Sequence, residues 1–427
     1  MANNKTRILC AVAAVVFGLL VTAPRASAGI SEKVLHSFCS AFYCHDGMMP
    51  NDLISDEAGN LYGTTQQGGG FGWGSVFELT PSNAKWTVKV LHSFNPDAGD
   101  GFLPQGGLVF DKAGNLYGTT SQGGAYNCGS NSCGTVFELM PSNGKWTEKV
   151  LHSFKLDCDG FSPYGSLIID KAGNLYGTTT GLCTTGTAGG IVFQLTRNNG
   201  TWIEKVVYSF QNNSDGSPDH DVIFDKAGNL YGTTIAGGAY GDGTVFELIP
   251  SNGQWTKKIL FNFDDIVTSH GRLIYDTAGN LYGTTANGGS STCIDGCGYV
   301  FELTPHANGK WTEKVLHSFI SNAKDGIYPA AGVSLDKTGS LFGTTSEGGT
   351  NLACGVGCGT VFELIPGQNG KWIENILHSF ELNDKDGNIP YTGLIFGKTG
   401  HLYGTTSSGG TSSSCGDGCG TVFEITP

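Results

Sequence analysis

The amino-acid sequence predicts an all-β protein, a seven-bladed β-propeller of four-stranded antiparallel blades, on three observations. One sequence unit recurs at a spacing of roughly 50–60 residues, the range of propeller blades; its aromatic-Gly-Thr-Thr segment opens at Tyr62, Tyr117, Tyr176, Tyr231, Tyr282, Phe342 and Tyr403. Each unit breaks into four short apolar or alternating runs separated by Gly, Asn, Asp and Pro, the pattern of an antiparallel meander. The chain carries a lone fourth strand near its start and a unit without a fourth strand at its end, so the N-terminal strand is expected to complete the last blade. Composition agrees, because Gly supplies 67 of 427 residues and charged residues only 14%, which suits tight turns and disfavours long solvated helices.

The elements follow in chain order. Lys5 and Arg7 precede an apolar run from residue 8 to 21, and Ala26, Ser27 and Ala28 offer a cleavage point, so residues 1–28 read as a secretory signal peptide. A retained anchor is disfavoured because the run is shorter than the ~20 apolar residues of a spanning helix. Residues 29–427 then form a single propeller domain. Net charge is −13 and becomes more negative once the basic leader is removed, a field that repels nucleic acid and anionic lipid. No later stretch has membrane-spanning length.

Residues 31–38, SEKVLHSF, are the lone fourth strand. The second unit shows the full pattern: strand A over residues 107–111, B over 115–120, C over 134–140 and D over 146–154. The A–B turn, Asp-x-x-Gly-Asn, places Asp where it can accept turn amides and Gly where a left-handed backbone is cheap; its Asp recurs at 56, 111, 170, 225, 276 and 336. Counting back from the C–D turn sets Glu78 opposite Lys89, Glu138 opposite Lys149, Glu247 opposite Lys258 and Glu302 opposite Lys314, and ring closure sets Glu424 opposite Lys33. Such pairs each contribute ~0.2–1 kcal/mol. A closed ring leaves no open sheet edge, whereas a linear solenoid would leave both partial units unpaired.

The unit DKAGNLYGTT…GTVFEL…GKWTEKVLHSF resembles the GloVer tandem repeat, the Gloeobacter/Verrucomicrobia family of bacterial exported proteins, across essentially all of residues 31–427. The resemblance implies an exported propeller-like repeat protein and brings no catalytic motif. Members carry varied C-terminal anchors, and no such anchor is read at the end of this sequence.

Cys10 lies in the leader, and the other cysteines fall mainly in close pairs: Cys39 with Cys44, Cys128 with Cys133, Cys293 with Cys297, Cys354 with Cys358 and Cys415 with Cys419, while Cys158 and Cys183 are left to meet each other. In an exported chain these read as disulfides. Closing so short a loop contributes only about 2 kcal/mol, so the bonds are expected to stiffen loop tips and not to hold the fold together. Zinc held by thiolates of neighbouring blades is the alternative. All but Cys10 lie in B–C or D–A loops, which emerge on one face.

The D–A loops also repeat Asp-Gly followed by Pro, at Asp46, Asp100, Asp159, Asp215, Asp325 and Asp386. A turn in which Asp accepts backbone amides explains them; as a carboxylate ring at a channel mouth they are also candidates for calcium or magnesium. At the slot opening strand A, Asp52, Asp221 and Arg272 project charge where other copies have Gly or Ser, and Asp219, His220 and His270 lie nearby. Asp52, Asp221, His220, His270 and Arg272 are therefore the candidates for acid, base or metal chemistry. The His of LHSF is Tyr208 or Phe261 in two copies, so aromatic packing is expected there. No nucleotide-binding, hydrolase or zincin motif is present. The expectation is a monomeric, secreted or cell-envelope, non-enzymatic protein binding a carbohydrate or protein ligand on its loop-rich face, with a metal-assisted lactone hydrolase or lyase as the alternative.

Overall fold

The computed structural model describes residues 30–40, 42–82, 85–128, 131–155, 160–180, 188–211, 215–218, 220–264, 271–383 and 385–427, and of 127, 128, 131, 132 and 188 the backbone alone. The expected leader, Cys158, Asp159, Cys183, Asp219 and His270 lie outside the described residues, as does the side chain of Cys128. The described residues contain strands and short 3-10 turns but no α-helix, and no helix among them is long and apolar enough to cross a membrane.

Seven antiparallel sheets follow one another along the chain. Blade two is representative: strand A is Val109–Phe110, B is Leu116–Thr120, C is Thr135–Ser142 and D is Lys145–Ser153. Strand A is shorter than the sequence suggested, two paired residues in each blade, because its other backbone groups face the channel or the next blade. Blade seven contains Ile395–Phe396, Leu402–Thr406 and Thr421–Thr426, and its outer strand is the N-terminal Ser31–Ser37. The closing register pairs Ser31 with Thr426 and Lys33 with Glu424. The other expected Glu/Lys pairs also stand in register, 78 with 89, 138 with 149, 247 with 258 and 302 with 314.

The repeat unit encodes the seams between blades as much as the blades. The Phe at the end of each LHSF segment or its counterpart is fully buried and meets edge-on the Phe of strand C in the next blade. The pairs run Phe38/Phe77, Phe94/Phe137, Phe154/Phe193, Phe210/Phe246, Phe263/Phe301, Phe319/Phe362 and Phe380/Phe423, with centroids 5.0–5.7 Å apart. The ring of seven is unbroken, and each pair adds about 0.5–1.5 kcal/mol beyond its area burial. The first Thr of Gly-Thr-Thr donates across the seam, Thr64 to Gly106 O at 3.0 Å, Thr119 to Gly165 O at 3.0 Å and Thr344 to Thr392 O at 2.9 Å. Thr405 donates to Asn51 O at 3.2 Å across the closing seam. The second Thr pairs within the blade, as Thr120 does with Thr135 at 2.8 Å. The Gly between the aromatic and the threonines makes room for the Phe of strand C: a Cβ on Gly118 would lie 2.6 Å from Phe137 Cζ.

The Trp opening strand D faces the Pro of its own C–D turn, as in Trp146 opposite Pro141, and also packs on the preceding blade. Trp86 meets Tyr403 at 6.0 Å, Trp146 meets Tyr62 at 6.5 Å and Trp202 meets Tyr117 at 6.1 Å. The A–B turn Asp acts as a turn acceptor. Asp111 Oδ1 takes the N–H groups of Ala113 at 2.8 Å and Asn115 at 2.9 Å, and its Oδ2 takes the Tyr117 hydroxyl at 3.1 Å.

Candidate functional site

The D–A and B–C loops share one face because they hydrogen-bond to each other. Gly101–Phe102 pairs with Gln122–Gly123, Gly326–Ile327 with Glu347–Gly348 and Gly387–Asn388 with Ser408–Gly409. On this face four disulfides are formed, joining Cys39 to Cys44, Cys293 to Cys297, Cys354 to Cys358 and Cys415 to Cys419, and Cys133 is disulfide-bonded too. The bonds occupy the thiolates that the zinc alternative required in blades five to seven.

The placement of these cysteines corrects the expectation that they sit at loop tips. Cys297 and Cys358 are fully buried, as are Cys133 and Cys419, and each belongs to an apolar cluster between blades. The reason is their position one residue before the Gly that opens strand C, where the loop re-enters the blade. There the Cys297 carbonyl accepts the Tyr328 N–H at 2.9 Å and the Cys358 carbonyl accepts the Ile389 N–H at 3.0 Å, both from the next D–A loop. Their partners Cys293, Cys354 and Cys415 are half-exposed. Each of these three bonds therefore ties an outer loop residue to the core.

The channel at the centre is a cavity of about 1140 Å³ lined by all seven blades. The structure brings Asp52, His220, Asp221 and Arg272 to its wall, beside Gln66, Gln105, Tyr164 and Tyr391. The strand-A slot has a structural task here as well as a chemical one. Gly393 N–H donates to Asp52 Oδ1 at 3.0 Å, Gly107 N–H to Ser166 Oγ at 2.9 Å and Ser166 N–H to Asp221 Oδ1 at 2.6 Å. Each polar side chain thus accepts the amide of the same slot one blade earlier, satisfying a backbone donor that no ladder can reach. Burial first, then the Asp221 carboxylate, push the Asp52 carboxyl up to about 6, against the Gly393 amide and the positive fields of Arg272 and His220.

The Asp-Gly carboxylates do not ring the channel: none of Asp46, Asp100, Asp215, Asp325 and Asp386 lines that cavity. They sit at the seams between blades, each facing the LHSF His or its replacement. His36 Nε2 lies 3.1 Å from Asp46 Oδ2, His92 Nε2 2.8 Å from Asp100, His378 Nε2 3.0 Å from Asp386 and His317 Nε2 3.4 Å from Asp325. Tyr208 fills the same place, its hydroxyl donating to Asp215 at 3.0 Å. The expected edge-on packing of this His is present as well, 4.9 Å between His92 and Phe94. The Pro that follows lies over the Gly opening strand C: a Cβ on Gly420, at φ +97°, would lie 2.5 Å from Pro50 Cδ.

Across three of these seams a Glu of the next strand D joins the pair. Beside His92 and Asp100, Glu148 lines a second cavity of about 610 Å³, and burial, reinforced by the Asp100 carboxylate, raises it to about 8. In metal-free buffer the folded protein holds this proton above pH 4.5, the ordinary value, where the unfolded chain has released it. Stability therefore falls as pH climbs from 4.5 through 8, by up to about 1.4 kcal/mol per pH unit for this group. E148Q is expected to flatten that slope in denaturant titrations across the same range, and a variant slope equal to the parent's contradicts the assignment.

Sequence reasoning missed the loop aromatics. Phe42 is 80% exposed, Tyr43 79%, Tyr240 65%, Phe71 56%, Tyr391 56%, Tyr126 49% and Trp73 44%. All seven lie in D–A or B–C loops, and no other aromatic among the described residues is comparably exposed. The available signal was the contrast between copies: the cysteine-free B–C loops of blades one and four carry Phe71, Trp73 and Tyr240 where the others carry cysteines.

Comparison with known proteins gives a family and a fold. The model of the Gloeobacter/Verrucomicrobia repeat matches residues 25–217, 127–353 and 225–427. No curated protein matches the chain. Among solved structures, a xyloglucanase from Xanthomonas campestris is 13% identical with a TM-score of 0.54, covering 89% of this chain and 52% of its own. The extracellular domain assigned to a one-component system of B. thetaiotaomicron is 11% identical, TM-score 0.53, covering 91% and 40%. A protein described as a 6-phosphogluconolactonase from Bacteroides uniformis is 14% identical, TM-score 0.52, covering 82% and 89%. This chain spans about half or less of the first two, and at these identities the likeness is one of fold alone.

Proposed function

We propose that this chain, which belongs to the Gloeobacter/Verrucomicrobia repeat family, is an exported, non-enzymatic propeller that binds a carbohydrate or protein ligand on its loop-rich face. The carrying observation is the confinement of the strongly exposed aromatics to that face. Exposed rings on the loops, with Tyr391 among them lining the cavity of carboxylates, amides and a guanidinium, suit a carbohydrate, whose C–H faces stack on rings while its hydroxyls meet polar groups. Disulfides on the same loops support export, because such bonds persist in oxidising compartments. The acidic surface disfavours nucleic acid.

A metal-assisted lactone hydrolase or lyase at the channel mouth is the second reading, favoured by an Asp52 held near 6 beside His220, Asp221 and Arg272. The amide-accepting roles of Asp52 and Asp221 weigh against it, since both carboxylates already serve the ring. A glycan array followed by affinity electrophoresis separates these readings. Polysaccharide retention that weakens about tenfold, ~1.4 kcal/mol, in W73A or Y391A is expected. Retention unchanged by both variants contradicts the loop-face site, and lactone turnover lost in D52N establishes the enzyme instead.

A further inference from the structure

The seams hold a second kind of site. At the seam of blades five and six, His317 Nε2 lies 3.4 Å from both Asp325 Oδ2 and Glu374 Oε1. At the seam of blades six and seven, His378 and Asp386 meet Glu32 of the N-terminal strand. In both trios one ligand atom from each residue lies within 4.8 Å of the other two. Asp325 and Asp386 are buried and the other four residues half-buried, and the trios are incompletely satisfied: the Asp325 side chain, 6% exposed, leaves Oδ1 without a hydrogen-bond partner, and His317 Nε2, Glu374 Oε1 and Glu32 Oε1 have none either. Two carboxylates beside an imidazole, held in a seam with unmet acceptors, are neutralised either by a retained proton, as at Glu148, or by a bound cation that takes its place.

The seam of blades three and four shows independently what fills such a place. There the Glu slot is Lys257, whose Nζ stands 3.1 Å from Asp215 Oδ1, and the His slot is Tyr208. The chain supplies its own cation where the ligating Glu and His are both absent. At the closing seam the Glu slot is Val88, and Asp46 is satisfied instead by His36 and by the Ser40 N–H and hydroxyl at 3.1 and 2.6 Å.

We propose that His317/Asp325/Glu374 and His378/Asp386/Glu32 each bind one divalent transition-metal ion, zinc being the best match, which clamps neighbouring blades together. An imidazole with two carboxylates suits zinc and its neighbours, whereas calcium and magnesium prefer an all-oxygen shell. The second site also ties the N-terminal strand to blade six, so its metal reinforces ring closure.

The test is zinc titration of the oxidised, tag-free chain after chelation, read by calorimetry and by metal analysis of gel-filtered protein. Two equivalents are expected, with calcium and magnesium failing to compete at a hundredfold excess. E374K, which copies the lysine seam, and E32K each remove one equivalent while circular dichroism stays unchanged, and E374Q replaces E374K if the lysine disturbs folding. Absence of stoichiometric uptake by the folded protein, or uptake that these substitutions leave intact, overturns the proposal.

Discussion

Phe38→Ala destabilises the protein by about 3–5 kcal/mol, the loss of a fully buried aromatic in a core that cannot collapse onto the space, and as much as Phe94→Ala. Phe38 belongs to the first strand yet is as inaccessible as Phe94, and its ring stands 5.0 Å from Phe77 against 5.2 Å for Phe94 and Phe137. The Phe38 N–H also donates to Gly420 O at 2.9 Å, as the Phe94 N–H does to Gly74 O at 3.0 Å. In an open solenoid the first strand would be a frayed edge and its Phe would matter far less than an internal one. Equilibrium denaturation of F38A and F94A side by side checks this, and a loss below about 1 kcal/mol in F38A alone contradicts the closed ring.

Lys257→Ala is expected to destabilise by a similar 3–5 kcal/mol, for a different reason. The Lys257 ammonium is 6% exposed against Asp215 and lies 5.0 Å from the centre of the Phe210 ring. Removing it leaves a carboxylate in the seam without its counter-charge, the costly half of breaking a buried pair. The double variant D215N/K257M removes both charges and is expected to recover most of the loss, since replacing a buried pair with neutral groups is often close to neutral. A single variant as stable as the parent, or a double variant no better than the single, contradicts this reading.

Much of the fold was legible because seven internal copies report on one another. The strand order, the Glu/Lys registers and the pairing of Lys33 with Glu424 all follow from counting within a unit. What lies between units was harder to read. Trp146 touches Tyr62, and Glu374 reaches His317, only after blades stack, so spacing within one unit says nothing about either contact. For that reason the Asp-Gly carboxylates were expected at the channel and were found at the seams. The same holds for Cys297 and Cys358, whose pairing could be read from spacing but whose burial comes from the neighbouring blade that covers them. One signal was available: the His-to-Tyr change at 208 and the Glu-to-Lys change at 257 fall in consecutive strands D, as expected of two residues that share a carboxylate. The strand-A slot was legible as a set of charges, Asp52, Asp221 and Arg272, but not as a chain of amide acceptors, because backbone donors carry no sequence mark.

A cysteine at each end of the closing register examines the ring most directly. Ser31 and Thr426 are Cα partners across the seam, so S31C/T426C should oxidise to an intramolecular disulfide that joins the first and last peptides in a proteolytic map and raises the thermal midpoint. Peptides that stay separate under oxidising conditions, or that link only between molecules, would show that the two termini do not share a sheet.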